Sequence, residues 1–190
     1  MADGILLTHG AGSNADSPLL LAFDAAFTAA GLVVQRFNLP YRQERPTGPP
    51  PRGSAERDRE GLLQALTDFR QSVSGRLFAG GHSYGGRQLS MLLASHPYLV
   101  EGLLLLSYPL HPPRKPTGLR TAHFQELRVP AFFVHGSRDS FGSIAEMETA
   151  LKLLAARNRL YALAGAGHEL SPAKAPESAH EFLSFVQREI

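Results

Sequence analysis

The stretch Gly81-His82-Ser83-Tyr84-Gly85 lies between an apolar run, Leu77-Phe78-Ala79, and a segment of helical spacing, Gln88 to His96. This order predicts a strand, a sharp turn and a helix, with Ser83 at the turn. Glycines two residues before and after the serine let the backbone turn closely and hold the hydroxyl exposed in a strained conformation. The chain contains this G-x-S-x-G pattern once, and its place between strand and helix indicates a nucleophilic serine.

Six short apolar segments alternate with segments of helical spacing along the chain. The predicted strands cover residues 4–8, 32–37, 77–81, 102–107, 129–135 and 159–163. The predicted helices cover residues 18–30, 56–70, 88–96, 143–156 and 179–190. Most strand segments are apolar throughout, which is typical of parallel strands covered by helices on both faces. The sequence therefore predicts an α/β fold, a three-layer α/β/α sandwich, in which ligands bind beyond the carboxyl ends of the strands.

The length and composition indicate a single domain over residues 1–190. The chain is 43% hydrophobic and 19% charged, and its 190 residues suit one well-buried core and are short for two. The formal net charge is only +2. Because no basic stripe of the kind that neutralises phosphates is present, we expect no nucleic-acid partner.

The cysteine count and the first residues limit the chemistry and the location. The chain has no cysteine, which excludes disulfides, thiolate zinc sites and a cysteine nucleophile. Met1 to Gly4 leads directly into Ile5 to Leu7 without the basic region of a signal peptide. No apolar segment approaches the length of about eighteen residues that a membrane span needs. We therefore expect a soluble, cytoplasmic protein with no membrane partner.

Two proline-bearing segments are predicted to be irregular. Residues 38–55 hold five prolines and several arginines, a composition that disfavours regular structure. Residues 108–124 form the second such loop. Long loops are often functional, so residues 38–55 could border a ligand site or be a solvated excursion.

A serine hydroxyl becomes an effective nucleophile when a nearby histidine takes its proton. The candidates at predicted strand ends are His9, His82, His135 and His168. His82 adjoins the serine in sequence and is expected to point elsewhere, whereas His9 and His135 suit packing or hydrogen bonding. His168 lies in a small-residue loop after the last strand, which favours it as the base. The alternative is an ordinary loop histidine.

Asp139 is predicted to orient His168. It is the only aspartate between Ser83 and His168 and follows the strand at residues 129–135. A carboxylate in that position can fix the imidazole tautomer, and the alternative role is a turn or helix cap. The competing glutamates precede their strands or belong to a helix: Glu101, Glu126, Glu146 and Glu148.

Acyl transfer also needs hydrogen-bond donors for the oxyanion, and backbone N–H groups usually supply them. Tyr84 follows the nucleophile directly. Ala11 lies in the loop after the first strand, where Gly10 and Gly12 would let its N–H face a carbonyl oxygen. We expect the N–H groups of Ala11 and Tyr84 to hold the oxyanion. The alternative is that the glycines only make a tight turn.

Taken in order, these motifs resemble the α/β-hydrolase superfamily over essentially the whole chain. The resemblance rests on the His-Gly loop at His9, the elbow at Ser83, the Gly-Ser-Arg-Asp strand end at Asp139 and the Gly-Ala-Gly-His loop at His168. With the segment from Pro40-Tyr41 to Arg52, the chain also looks like a small bacterial hydrolase group. Eukaryotic relatives of that group include a testis-expressed protein and a subunit of the non-specific-lethal chromatin complex.

The resemblance implies a minimal core of six strands, which starts at the third strand of that fold and lacks a cap domain. The group also resembles dienelactone hydrolases, which use cysteine where this chain has Ser83, so that specific activity is not implied. Together the residues and the resemblance predict a serine hydrolase with a small-molecule, ester-like substrate. We expect no cofactor and no metal, and a monomer or homodimer.

Two other functions fit parts of the sequence. Gly10 to Ala15 matches the G-x-G-x-x-A pattern of dinucleotide-binding loops, but no acidic residue stands at the end of the next strand, Gln35 to Asn38. The chain could also be a non-catalytic binding or scaffold protein, since fold similarity does not prove function. Metal-ligand spacing such as H-E-x-x-H is absent from the sequence.

Overall fold

Six parallel strands form one sheet in the computed structural model of the protein, which describes residues 1–187. The strands are β1 Gly4–Thr8, β2 Val33–Phe37, β3 Leu77–His82, β4 Gly102–Leu106, β5 Ala131–Gly136 and β6 Asn158–Leu163. Their order across the sheet is β2-β1-β3-β4-β5-β6. Because every neighbouring pair is parallel, the carboxyl ends of the strands meet at one edge of the sheet.

Helices cover both faces of this sheet. They are α1 Pro18–Ala29, α2 Pro40–Glu44, α3 Ser54–Arg70, α4 Ser83–Ser95, α5 Ile144–Leu151 and α6 Ala175–Gln187. Helices α1 and α6 pack against one face, and α3, α4 and α5 pack against the other. This is the predicted three-layer sandwich, and within residues 1–187 no separate cap domain lies over the sheet. In the same part of the chain, no helix has the length and hydropathy to cross a membrane.

Alternate residues of each strand enter two separate hydrophobic cores. Ile5 and Leu7 of β1 pack with α1 and α6, whereas Leu6 packs with the helices of the opposite face. Phe132 and Phe133 of β5 divide in the same way. Successive side chains of a strand point to opposite faces, and each fully buried Leu or Phe contributes about 1.5–3 kcal/mol. A strand buried on both faces is therefore apolar throughout, as the sequence pattern indicated.

The start and end of α1 follow from local sequence. Ser17 caps the helix, since its Oγ accepts a hydrogen bond from the Leu20 N–H at 3.4 Å. Pro18 occupies the first helical position, where its fixed φ fits. Gly31, just beyond the helix, has a φ of +88°, a left-handed conformation that ends helices and suits glycine.

The prediction that residues 38–55 lack regular structure is wrong in part. Pro40–Glu44 forms α2, and α3 begins at Ser54 rather than at Glu56. Proline is unfavourable inside a helix, but Pro40 occupies the first helical position, where its missing N–H would have no intrahelical partner. Tyr41 is consequently delivered into the core and is fully buried. Residues 45–53 are irregular, as predicted.

Three other helix boundaries differ from the predictions by four residues or more. Helix α4 begins at Ser83 rather than at Gln88, and α5 ends at Leu151 rather than at residue 156. Helix α6 begins at Ala175 rather than at residue 179, because its proline, Pro176, falls in the first turn, where no hydrogen bond is lost. The predicted end of this helix at residue 190 lies outside the described residues.

Candidate active site

Ser83 lies at the turn between β3 and α4, with a φ of +48°. Positive φ is uncommon for residues other than glycine, and such strain clusters at functional sites. The turn is tight on both sides. A Cβ added to Gly81 would lie 2.5 Å from the Gly86 nitrogen, and one added to Gly85 would lie 2.4 Å from the His9 carbonyl oxygen. Both glycines of the motif are therefore required by close backbone contact.

His168 reaches Ser83 from the loop that follows β6. Its Nε2 lies 2.8 Å from Ser83 Oγ, within hydrogen-bonding distance for proton transfer. One face of the imidazole stacks on Phe141, with ring centroids 4.1 Å apart and an interplanar angle of 30°. Phe141 was not among the site residues predicted from the sequence. Its position two residues after Asp139, in the loop that carries the acid, was the only local signal.

Asp139 follows β5 and binds the other nitrogen of the imidazole. His168 Nδ1 lies 2.8 Å from Asp139 Oδ2 and 3.0 Å from Oδ1, and the Phe141 N–H donates to Oδ1 at 2.8 Å. Burial raises the pKa of Asp139, but these hydrogen bonds outweigh it, and the pKa lies below its ordinary value. A charged carboxylate facing Nδ1 keeps the proton there, so Nε2 is free to accept from the Ser83 hydroxyl.

His9 and His135 form hydrogen bonds with backbone groups rather than with Ser83. His9 Nδ1 donates to the Gly10 carbonyl at 2.8 Å, and its Nε2 accepts from the Leu39 N–H at 3.1 Å. Burial lowers the pKa of His9 to about 4, so the ring is neutral at neutral pH. His135 Nε2 donates to the Gly142 carbonyl at 2.8 Å. Both side chains are fully buried, which agrees with the packing and hydrogen-bonding roles expected of them.

His82 lies beside the proposed base rather than pointing away from the site. Its Nε2 donates to the His168 carbonyl oxygen at 3.3 Å, and the two rings are 5.6 Å apart. Burial lowers the pKa of His82. The expectation that His82 points elsewhere is therefore wrong, because β3 ends beside the loop after β6 and the ring fills the space between them.

The competing carboxylates are occupied elsewhere. Glu101 accepts from the Leu77 N–H at 2.8 Å, at the amino end of β3. Glu146 forms a capping box with Ser143 at the start of α5. Glu126, on the loop before β5, and Glu148, on α5, are both exposed. Of the acids considered, Asp139 is the one that contacts His168.

The two predicted oxyanion donors come from neighbouring parts of the sheet edge. Ala11 follows β1, and Tyr84 is the second residue of α4, whose first N–H groups have no intrahelical partner. A cavity of about 530 Å³ adjoins both Ala11 and Ser83. Its lining comprises Gly10, Ala11, Gly12, Ser13, His82, Ser83, Phe141, His168 and Glu169.

The described residues form neither a dinucleotide-binding loop nor a metal-ligand cluster. Helix α1 begins at Pro18, three residues after the G-x-G-x-x-A segment ends at Ala15, so the glycine loop does not open the helix directly. Within residues 1–187, no three His, Asp or Glu side chains are grouped so that they could hold a metal ion.

A family model described as an alpha/beta hydrolase domain matches residues 2–188 of this chain. The match spans nearly all of the 190 residues. The chain therefore belongs to the α/β-hydrolase family, as the order of the motifs predicted.

Solved structures share this fold at low sequence identity. Est1E from Butyrivibrio proteoclasticus with bound ferulic acid has a TM-score of 0.79 and 15% identity, over 96% of this chain and 88% of that one. A dienelactone hydrolase from Anabaena variabilis has a TM-score of 0.74 and 22% identity, over 96% and 84%. An alpha-beta serine hydrolase homologue from Coxiella burnetii has a TM-score of 0.72 and 16% identity, over 100% and 85%. These similarities establish the fold alone.

Proposed function

We propose that the protein is a serine hydrolase that acts on ester-type acyl substrates. One observation carries the proposal: the imidazole of His168 bridges Ser83 and Asp139, with 2.8 Å from Nε2 to Ser83 Oγ and 2.8 Å from Nδ1 to Asp139 Oδ2. Serine, histidine and aspartate in this geometry form a nucleophile, a general base and a group that orients the base. Membership of the hydrolase family supports the same reaction class.

The reaction proceeds in two acyl-transfer steps. Ser83 Oγ attacks the ester carbonyl carbon while His168 Nε2 takes the hydroxyl proton. The tetrahedral intermediate then collapses, His168 returns the proton to the departing alcohol, and an acyl-serine remains. Water attacks this acyl group with His168 again as the base, and the acid leaves as Ser83 recovers its proton. Asp139 stays ionised and stabilises the imidazolium in both steps.

The oxyanion of each tetrahedral intermediate is held by the N–H groups of Ala11 and Tyr84 in this proposal. The position of Tyr84 in the first turn of α4 supports its role, because helix N-termini favour negative charge. Ala11 is supported by its place in the loop that lines the cavity beside Ser83. Donors of this type typically contribute about 10²–10³-fold each to kcat.

Small acyl groups with good leaving groups are the substrates that suit the cavity best. Five of the nine residues that line the cavity of about 530 Å³ are glycine, alanine or serine, and no cap domain of residues 1–187 encloses it. Such a site holds the reacting carbonyl and offers few contacts to a long chain. Carboxylic esters therefore rank above amides, whose poorer leaving groups need more support from the site.

The experiment that tests this function is intact mass spectrometry after incubation with a fluorophosphonate. We expect one phosphonyl adduct on the native chain and none on Ser83→Ala. His168→Ala should retain its fold and lower both the labelling rate and kcat for a p-nitrophenyl ester by several orders of magnitude. Absence of an adduct on the native chain would contradict the proposal and favour a binding or scaffold role.

A further inference from the structure

Residues 38–55, the proline-rich stretch, contact the loop that carries Ala11. Two side chains of α2 make these contacts, and both are buried: Tyr41 is fully buried, and Arg42 is 5% exposed. A buried arginine is uncommon unless its donors are satisfied. The backbone carbonyls that accept hydrogen bonds from Arg42 therefore indicate the role of this stretch.

Tyr41 binds the loop through its hydroxyl. Tyr41 Oη lies 2.7 Å from the Ala11 carbonyl oxygen and 3.3 Å from that of Gly10. Burial raises the pKa of Tyr41, so the phenol is protonated and acts as the donor. The contact joins residues 30 positions apart in the chain.

Arg42 binds the same loop with its guanidinium. Its Nη2 lies 3.2 Å from the Ala11 carbonyl oxygen, and its Nε lies 2.7 Å from that of Ser13. The remaining donors reach the irregular part of the stretch, with Nη1 at 2.9 Å from the Arg45 carbonyl and Nη2 at 2.8 Å from that of Gly48. One planar group thus fastens residues 11–13 to residues 45–48, which a lysine ammonium could not do with the same geometry.

Asp58 connects this segment to the other proposed oxyanion donor. The carboxylate is fully buried. Its Oδ1 accepts from the Tyr41 N–H at 3.1 Å, and its Oδ2 accepts from the Tyr84 hydroxyl at 2.8 Å. The rings of Tyr41 and Tyr84 also meet edge to face, 5.9 Å apart. The residues that carry the two donors are therefore held by one network.

The direction of the Ala11 N–H follows from the contacts of the Gly10 carbonyl, because the two groups belong to the same peptide. The C=O and N–H of a trans peptide point in opposite directions. The Gly10 carbonyl faces His9 Nδ1 and the Tyr41 hydroxyl, so the Ala11 N–H of that peptide points away from them. Residues 10–13 line the cavity together with Ser83, whereas His9 and Tyr41 do not line it. An Ala11 N–H that points away from these two side chains is therefore available to the cavity.

We propose that Tyr41 and Arg42 are positioning residues, which fix the loop after β1 so that the Ala11 N–H faces the oxyanion. This proposal rests on the function proposed above. It assigns a role to the proline-rich stretch: Pro40 starts a short helix whose next two side chains hold the donor loop. Neither side chain touches the reacting atoms, since both act through the backbone carbonyls of residues 10–13.

The test compares Tyr41→Phe and Arg42→Lys with Arg52→Lys, which replaces an exposed arginine of the same stretch. The readouts are kcat and KM for a p-nitrophenyl ester and Ki for a trifluoromethyl ketone, which forms a tetrahedral adduct with serine. A misplaced oxyanion donor should lower kcat about 10- to 100-fold and raise Ki in parallel, with KM within twofold. Arg52→Lys should keep the native values.

Two results would overturn the proposal. Native kcat in both Tyr41→Phe and Arg42→Lys would show that the contacts do not matter for the reaction. The second result is a loss of kcat in these variants that is proportional to their fall in melting temperature, while the folded fraction binds the trifluoromethyl ketone with native Ki. That result would show a purely structural role.

Hydrogen exchange of residues 10–13 tests the tether without any activity. We expect faster exchange there in Tyr41→Phe and Arg42→Lys than in the native chain, and unchanged exchange would overturn the tether. If the native chain fails to react with the fluorophosphonate, the proposed function fails, while the exchange result still decides whether these side chains hold the loop.

Discussion

The Gly85 N–H donates to the His9 carbonyl oxygen at 3.2 Å. This bond joins the turn that carries Ser83 to the start of the loop that carries Ala11. A Cβ on Gly85 would lie only 2.4 Å from the same oxygen, a separation that atoms do not tolerate. The last glycine of the G-x-S-x-G motif thus sets the distance between Ser83, the proposed nucleophile, and the loop of Ala11, a proposed oxyanion donor.

Replacing Gly85 with alanine should separate these two parts of the site. We expect Gly85→Ala to lower kcat about 100-fold, because a displacement of about 1 Å can cost that much, and to destabilise the fold by about 1–3 kcal/mol through overpacking. Ester hydrolysis and urea unfolding measure the two effects. The matched control is Gly118→Ala, in an exposed loop where the added methyl meets its nearest atoms at 3.3 Å. Equal activity in the two variants would contradict the prediction.

Asp139→Asn should remove most of the activity while leaving the fold in place. The asparagine amide can donate to His168 Nδ1, which would move the imidazole proton to Nε2, where it blocks proton transfer from Ser83. We expect kcat to fall by about 10³–10⁴-fold, measured with a p-nitrophenyl ester at saturating concentration. Glu148→Gln on α5 is the control for the loss of one negative charge. A decrease of less than tenfold in Asp139→Asn would argue that another acid orients His168.

Phe141→Ala tests whether the stacked ring positions the base. The Phe141 ring stacks on one face of the His168 imidazole, with ring centroids 4.1 Å apart. Without it, the imidazole can rotate away from Ser83 and Asp139. We expect kcat to fall about tenfold or more, with a smaller change for Phe141→Leu. Tyr98→Ala is the control, because Tyr98 is 98% exposed. If Phe141→Ala retains native kcat, the two residues on either side of the imidazole suffice to hold it.

Two histidines with restricted solvent access, the fully buried His9 and the half-buried His123, should make stability depend on pH below neutrality. Burial lowers the pKa of His9 and of His123 to about 4, whereas in the unfolded chain histidine titrates near 6.5. As the pH falls below about 6.5, the unfolded chain takes up protons that the folded chain does not, so stability is full above that pH and declines toward pH 4. His9 alone contributes a loss on the order of 3 kcal/mol by pH 4.

Urea unfolding at several pH values between 7.5 and 4.5 measures this decline. His123→Gln should reduce its slope, because that side chain no longer binds a proton when the chain unfolds. The exposed His180→Gln is the matched substitution. Equal unfolding free energies at pH 7.5 and pH 4.5 for the native chain would refute the assignment of these histidines as neutral.

Local sequence was sufficient for the six strands, for five of the six α-helices and for the candidate residues at the ends of strands. Apolar runs and helical spacing are local properties, and a parallel sheet necessarily brings the carboxyl ends of its strands to one edge. Ser83, Asp139 and His168 each follow such a strand, and the structure brings them within hydrogen-bonding distance. Their catalytic roles remain predictions that the labelling experiment tests.

Only the tertiary structure decided which side chains support these residues. Tyr41 meets Ala11 across 30 positions, and His82 meets the His168 carbonyl across 86. Such contacts depend on the order of strands in the sheet and on where a loop returns, which no local pattern encodes. Pro40 shows the same limit, because the proline content of residues 38–55 predicted a loop. In the structure Pro40 begins α2, and the next two residues, Tyr41 and Arg42, bind the loop after β1.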